Sequence, residues 1–177
     1  MRAGEQAEFE EFVRARSSEL LRAAWLLTGS RPAAEDLLQE TLVRVLTRWS
    51  RVRRADNPVA YARTVLVRRY VDSTRRRSAG ERPGLPDDDL RPAVSEEPDV
   101  ALRQTLVAAL RELAPVDRAV VVQRYLLDQD VAGVAADLGL TGQAVRSRSS
   151  RALARLRHLL DPDLAGATPA RPDKELS

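Results

Sequence analysis

Four prolines within sixteen residues, Pro83, Pro86, Pro92 and Pro98, interrupt this chain of 177 residues and set the terms on which it folds. Proline lacks a backbone donor and fixes its own φ, so neither a helix interior nor a central strand passes through such a stretch. Asp87, Asp88, Asp89, Glu96 and Glu97 lie in the same segment, and their mutual repulsion further disfavours a compact structure. We read residues 78–99 as a flexible acidic linker between two small domains, 1–77 and 100–160. Pro162, Pro169 and Pro172 give residues 161–177 the character of a disordered tail.

Hydrophobic residues make up 44% of the chain but aromatics only 4%, so the cores of both segments are left to Leu, Val and Ala. That composition favours helices over aromatic-rich strands, and the expected class is all-α. The absence of cysteine and the presence of a single histidine exclude a disulfide framework and a Cys/His metal site, and no cofactor is expected. No apolar run reaches the roughly 20 residues that span a bilayer, and Met1–Glu11 is acidic where a secretory signal is basic then apolar. A cytoplasmic protein without membrane insertion is expected.

The net charge of +3 conceals a division along the chain. Residues 1–77 carry 16 basic and 10 acidic groups, 78–99 carry 2 and 7, 100–160 carry 9 and 5, and 161–177 carry 2 and 4. Two basic segments therefore flank an acidic one. Lys174 is the only lysine, and arginine's planar fork suits phosphate and guanine.

In the first segment Phe9, Phe12, Val13, Leu20, Leu21, Ala24 and Leu27 recur at helical spacing up to Gly29. Ser30 is placed to cap a second helix, with Pro32 in its first turn and Glu35 and Asp36 near its positive end. Its apolar stripe reads Leu38, Leu42, Val45, Leu46 and Trp49, which leaves Asp36, Gln39, Glu40, Val43 and Thr47 on the opposite face. After a basic loop, Ser50–Asp56, Asn57 and Pro58 read as N-cap and first position of a third helix to about Arg77. Along it Tyr61 and Tyr70 are interleaved with Arg63, Arg68, Arg69, Arg75, Arg76 and Arg77, and basic groups beside aromatic rings can hold phosphates while bases stack.

The second segment reads as an amphipathic helix Val100–Leu113, another from Pro115 through Tyr125, and a short helix Val131–Leu138 capped by Asp130. Gly139 permits a tight turn, and Thr141 caps a last helix, Gly142 to about Leu160. A short helix, a glycine turn and a longer basic helix form a helix-turn-helix pattern, whose second helix enters the major groove. Thr141, Gln143, Arg146, Ser147, Arg148, Ser150 and Arg151 are the candidate DNA-contacting residues. An arginine among them can bond guanine O6 and N7 together.

Two stretches, AEDLLQETLVRVLTRW (Ala34–Trp49) and LAPVDRAVVVQRYLLDQDVAGVAADLGLTGQAVRSRSSRALARLR (Leu113–Arg157), resemble regions 2.2 and 4 of the extracytoplasmic-function sigma factors. The run DNPVAYARTVLVRRY and the arginine bias look most like the actinobacterial sigma-E-like subfamily. The resemblance spans about residues 8–77 and 100–160. It implies that Asp36, Gln39, Glu40 and Val43 grip the polymerase β′ coiled coil. It implies further that Ser50–Asn57 and the helix after it, with Asn57, Tyr61, Arg63, Arg68, Arg69, Arg75 and Arg76, capture a flipped base and hold the opened −10 strand. The helix-turn-helix would read the −35 element. Core RNA polymerase, including its β flap, promoter DNA and an anti-sigma factor are the partners so implied. Aligned on Asp72, the chain has Tyr61, Val67 and Arg68 where many members have Trp and then Arg-Asn, and Gly133 stands where Glu is frequent and Ser149-Ser150 where bulkier residues are, so the resemblance leaves the −10 and −35 preferences open.

A helix-turn-helix regulator acting without polymerase is the alternative. Its front domain would need a ligand pocket or a phosphoacceptor, and residues 1–77 offer no strand-and-aspartate pattern for one. An enzyme would need clustered carboxylates or a histidine base, and His158 follows the last basic turn, where a surface position is expected.

Overall fold

The computed structural model describes residues 3–80 and 98–160. Most of the acidic linker, 81–97, and the whole tail 161–177 lie outside the described residues. Among those described, every regular element is helical: α1 (Ala3–Thr28), α2 (Arg31–Leu46), α3 (Trp49–Val52), α4 (Pro58–Ser78), α5 (Pro98–Arg111), α6 (Pro115–Val121), α7 (Val131–Leu138) and α8 (Gly142–Leu160). Helix α4 runs on to Ser78 and α5 begins at Pro98, so regular structure enters both ends of the segment expected to be linker.

Local chemistry sets the helix boundaries. Gly29 closes α1 with φ 72°, its N–H donating to the Trp25 carbonyl at 2.7 Å, a conformation glycine adopts without steric penalty. Ser30 precedes α2 in an extended conformation but makes no side-chain cap; its carbonyl accepts from Ala34 N–H, and the Thr28 hydroxyl donates to that same carbonyl at 3.0 Å. The other three expected caps form. Asn57 Oδ1 accepts from Ala60 N–H at 3.0 Å, Asp130 Oδ1 from Gly133 N–H at 2.7 Å, and Thr141 Oγ1 from Ala144 N–H at 3.1 Å.

Helices α1, α2 and α4 pack as a three-helix bundle around Leu20, Ala24, Leu27, Ala34, Leu37, Val45, Leu66 and Val67. The buried line of α2 is Ala34, Leu37, Thr41 and Val45, with Leu38, Leu42 and Leu46 only half-buried. The expected stripe is thus rotated toward Leu37 and Thr41. Thr41 is tolerated inside because its hydroxyl donates to the Leu37 carbonyl at 2.7 Å. Trp49 belongs to the separate turn α3, formed where a loop was expected. Its ring packs against Phe9 and Phe12 at centroid distances of 5.3 and 5.1 Å.

In the second half Val120, Val134 and Val145 form a small core of the helix-turn-helix. Helix α6 passes into a π-helical turn, Val122–Leu126, inside the stretch read as one helix to Tyr125. The larger apolar cluster does not stop at the linker. It runs from Leu20, Leu27 and Leu66 of the first half to Leu110, Leu113, Val122 and Leu156 of the second. Between the halves Arg118, itself buried, donates to the carbonyls of Leu27 at 2.7 Å, Arg111 at 2.7 Å and Leu113 at 3.3 Å. Its guanidinium lies 6.0 Å from the Tyr70 ring centroid, and burial lowers its pKa below the usual arginine value against the opposing influence of Tyr70.

Gly139, with φ 64°, forms the turn between α7 and α8, and a Cβ placed there would meet nothing within 4 Å. A Gly139→Ala variant should therefore lose about 1–2 kcal/mol from backbone strain alone, with Gly139→Asn losing less, as read by urea denaturation. Equal stability of all three proteins would contradict this.

Candidate nucleic-acid interface

Two basic surfaces and one polar face emerge from these helices. On α2, Asp36, Gln39, Glu40 and Val43 are all solvent-exposed, opposite the buried line. Val43 is 59% exposed, an apolar side chain left in water among polar neighbours. Glu40 forms an ion pair with Arg69 of α4, which ties this face to the next helix.

The second surface comprises α3, the turn after it and α4. Asn57 is the N-cap of α4 and so has a structural task already. Tyr61 is half-buried, and its hydroxyl accepts from the Arg48 guanidinium at 3.2 Å. That bond raises the Arg48 pKa. Arg63 is bound to Glu19 of α1, with Nε donating at 2.8 Å, and Arg69 is held by Glu40. Arg68 donates from Nε to the Asp137 carbonyl at 2.8 Å and from Nη2 to the Ala136 carbonyl at 3.0 Å, both on α7. Arg75 and Arg76 are exposed near the end of α4.

Tyr70 corrects the sequence reading. It is 3% exposed and packs in the core beneath Arg118, so its ring is no platform for a base here. Helical spacing carried the signal, because Tyr70 follows Ala62 and Leu66 at four-residue steps on the buried stripe, whereas Tyr61 lies on the opposite side of the helix. Conversely, Arg51 and Arg54 line a cleft of about 530 Å³ with Ser50 and Ala55. The sequence marked that loop as basic without singling these two out.

The third surface is the outer face of α8. Thr141 caps the helix, and Gln143, Arg146, Ser147, Ser150 and Arg151 are exposed, the last donating from Nε to the Ser147 carbonyl at 3.4 Å. Spacings of one, three and four residues bring Arg146, Ser147, Ser150 and Arg151 together. Arg148 points elsewhere: its Nη1 lies 2.6 Å from Asp117 Oδ1 of α6. Arg124, Tyr125 and Arg157 were not anticipated as neighbours of this candidate DNA-contacting face, yet they line a groove of about 340 Å³ with Arg146, Ser149, Ser150 and Leu153. The groove depends on a helix-to-helix approach that no local pattern encodes. Gly133 also acquires a reason, since a Cβ there would come within 2.7 Å of the Gln129 amide nitrogen, which reaches past it to Asp137 at 2.9 Å.

No helix among the described residues is long and apolar enough to cross a membrane, and no group of three or more His, Cys, Asp or Glu residues among them is arranged to hold a metal ion.

Residues 12–80 match the family model for sigma-70 region 2, and residues 103–156 match the model for sigma-70 region 4. The chain is 38% identical to an RNA polymerase sigma-E factor of Streptomyces avermitilis over 99% of its own length and 98% of the relative's. It is 37% identical to the protein of the same name from Streptomyces coelicolor, with 97% of each chain covered. It also shares 36% identity with the ECF RNA polymerase sigma factor SigL of Mycobacterium tuberculosis across 78% of this chain and 80% of that one. Among solved structures, the sigma factor RpoE in complex with the anti-sigma factor NepR from Bartonella quintana has a similar fold, with TM-score 0.69 and 24% identity over 88% of this chain and 98% of that one. With an N-terminal bundle matching region 2, a helix-turn-helix matching region 4 and full-length relatives of both, the chain belongs to the extracytoplasmic-function group of sigma-70 family RNA polymerase sigma factors.

Proposed function

We propose that this sigma factor docks on core RNA polymerase through α2, holds the opened −10 strand with the α3–α4 surface and reads the −35 element with α8. The exposed Val43 amid Asp36, Gln39 and Glu40 carries the first assignment, because an apolar residue on a polar face suits the desolvated centre of a protein contact. The −10 assignment rests on Arg75, Arg76 and the Arg51–Arg54 cleft for phosphate contacts and on Tyr61 for stacking, with Arg63, Arg68 and Arg69 available once their present partners are exchanged. Extruding a base costs a few kcal/mol, offset by such contacts. The β flap is a further contact for the region 4 half. The relatives solved with anti-sigma partners support an anti-sigma factor here too. The work is non-enzymatic and cytoplasmic on this reading, with no catalytic residue or cofactor required. A regulator acting on duplex DNA without polymerase would leave the α2 face without a purpose.

An Asp36→Lys/Val43→Asp protein, which keeps the Glu40–Arg69 pair, should bind core polymerase roughly tenfold more weakly or worse with unchanged helicity. Undiminished co-purification with core would reject the α2 assignment.

Arg146→Ala or Arg151→Ala should cost about 1–3 kcal/mol at one guanine and relax the preference there. Arg157→Ala should lower affinity for all sequences alike and flatten the salt dependence. Arg148→Ala should instead cost ~1 kcal/mol of stability through loss of its Asp117 pair. Promoter-selection profiles and melts on the four proteins check this, and indistinguishable profiles would refute the division of labour along α8.

A further inference from the structure

The first turns of α1 meet the α3 turn through two matched stripes. Glu5, Glu8, Phe9 and Phe12 stand at spacings of one, three and four residues and share one face of α1. Trp49 and Arg53, four residues apart, share one face of α3 and its C-terminal turn in the same way. Trp49 packs against Phe9 and Phe12. Arg53 donates from Nη1 to both carboxylate oxygens of Glu8, at 3.2 and 2.9 Å, and its Nη2 lies 3.5 Å from Glu5 Oε1. Its own N–H bonds to the Trp49 carbonyl at 2.9 Å. Arg51 and Arg54, three residues apart and both exposed, line the cleft with Ser50 and Ala55 instead. The function proposed above uses these two arginines and leaves Arg53, between them in sequence, turned toward α1.

We propose that Glu8 and Arg53 are positioning residues for the −10 site: they brace the α3 turn against α1 so that Arg51 and Arg54 open onto one cleft, and the choice of base at −10 depends on this brace although neither residue touches DNA. This rests on the reading of the α3–α4 surface as the strand-holding surface. Helix α3 has only four residues, too few to hold a direction by its own hydrogen bonds. Burial of Trp49 and Val52 fixes where the turn sits. A planar guanidinium held at two nitrogens by two carboxylates also fixes how it is rotated. With side chains 28% and 50% exposed, the Arg53–Glu8 pair adds little to stability, so its effect falls on the orientation of the arginines beside it.

Full-length protein with core polymerase is offered a fluorescent non-template single strand randomised at −10, and both total binding and enrichment of the preferred sequence are read. Glu8→Ala and Arg53→Ala should each lower the enrichment about tenfold, the discrimination carried by one well-placed base contact, with total binding and thermal stability little changed. Glu5→Gln/Glu8→Arg/Arg53→Glu, which reverses the pair and removes the like charge beside it, should restore the enrichment to within about threefold of wild type. An Arg53 that itself contacted DNA would be released by Glu8→Ala, and total binding would rise. That result, wild-type enrichment in the single variants, or a loss that follows thermal stability and is not restored by the reversed pair would overturn the brace. Arg51→Ala/Arg54→Ala reads the underlying assignment separately. Weaker strand binding in that variant, with enrichment intact in the Glu8 and Arg53 variants, overturns the brace alone, and undiminished strand binding overturns both.

Discussion

The buried guanidinium of Arg118 is the contact on which the arrangement of the two halves depends. Among the described residues no carboxylate forms a salt bridge with it; it is bonded instead to the carbonyls of Leu27 near the end of α1, Arg111 at the end of α5 and Leu113 just beyond. The last carbonyls of a helix lack intrahelical partners and carry the negative end of the helix dipole, so two helix ends together can solvate a cation in place of water. That requirement places α6 against the ends of α1 and α5. Tyr70 supplies the remaining wall with its ring face. The interface is therefore specific in register, and two of the three carbonyls bonded to Arg118 belong to its own half.

Features determined within one turn of the chain were legible in the sequence. Asn57, Asp130 and Thr141 cap the helices they were expected to cap, and Gly29 and Gly139 adopt positive φ at the two turns where helices had to end. Long-range features were not. Arg63 and Arg69 resembled a free basic face, but Glu19 and Glu40, distant in sequence, hold them. Arg148 stood among the candidate DNA-contacting residues, but Asp117 on α6 draws it inward. Trp49 continued the stripe of α2 by spacing, yet it starts a separate helical turn because Phe9 and Phe12 provide its pocket.

The same distinction divides the candidate surfaces. The outer face of α8 was legible because one helix alone assembles Arg146, Ser147, Ser150 and Arg151. The α4 surface was legible only as chemistry, since its availability depends on what packs against it. Tyr70 is committed to the core, Arg68 to α7, while Tyr61, Arg75 and Arg76 remain at the surface. On the proposed reading the α8 face is open to duplex, part of the α4 surface is occupied by α7, and core polymerase is the larger partner. The polar α2 face with Val43 at its centre is where that partner would engage.

Permanganate footprinting on a cognate promoter tests this account most directly, because it reports unpaired thymines wherever the duplex opens. Thymines near −10 should become reactive only when core polymerase and the full-length protein are both present. Reactivity with the protein alone, or binding with core at cognate promoters without reactive thymines, would contradict it.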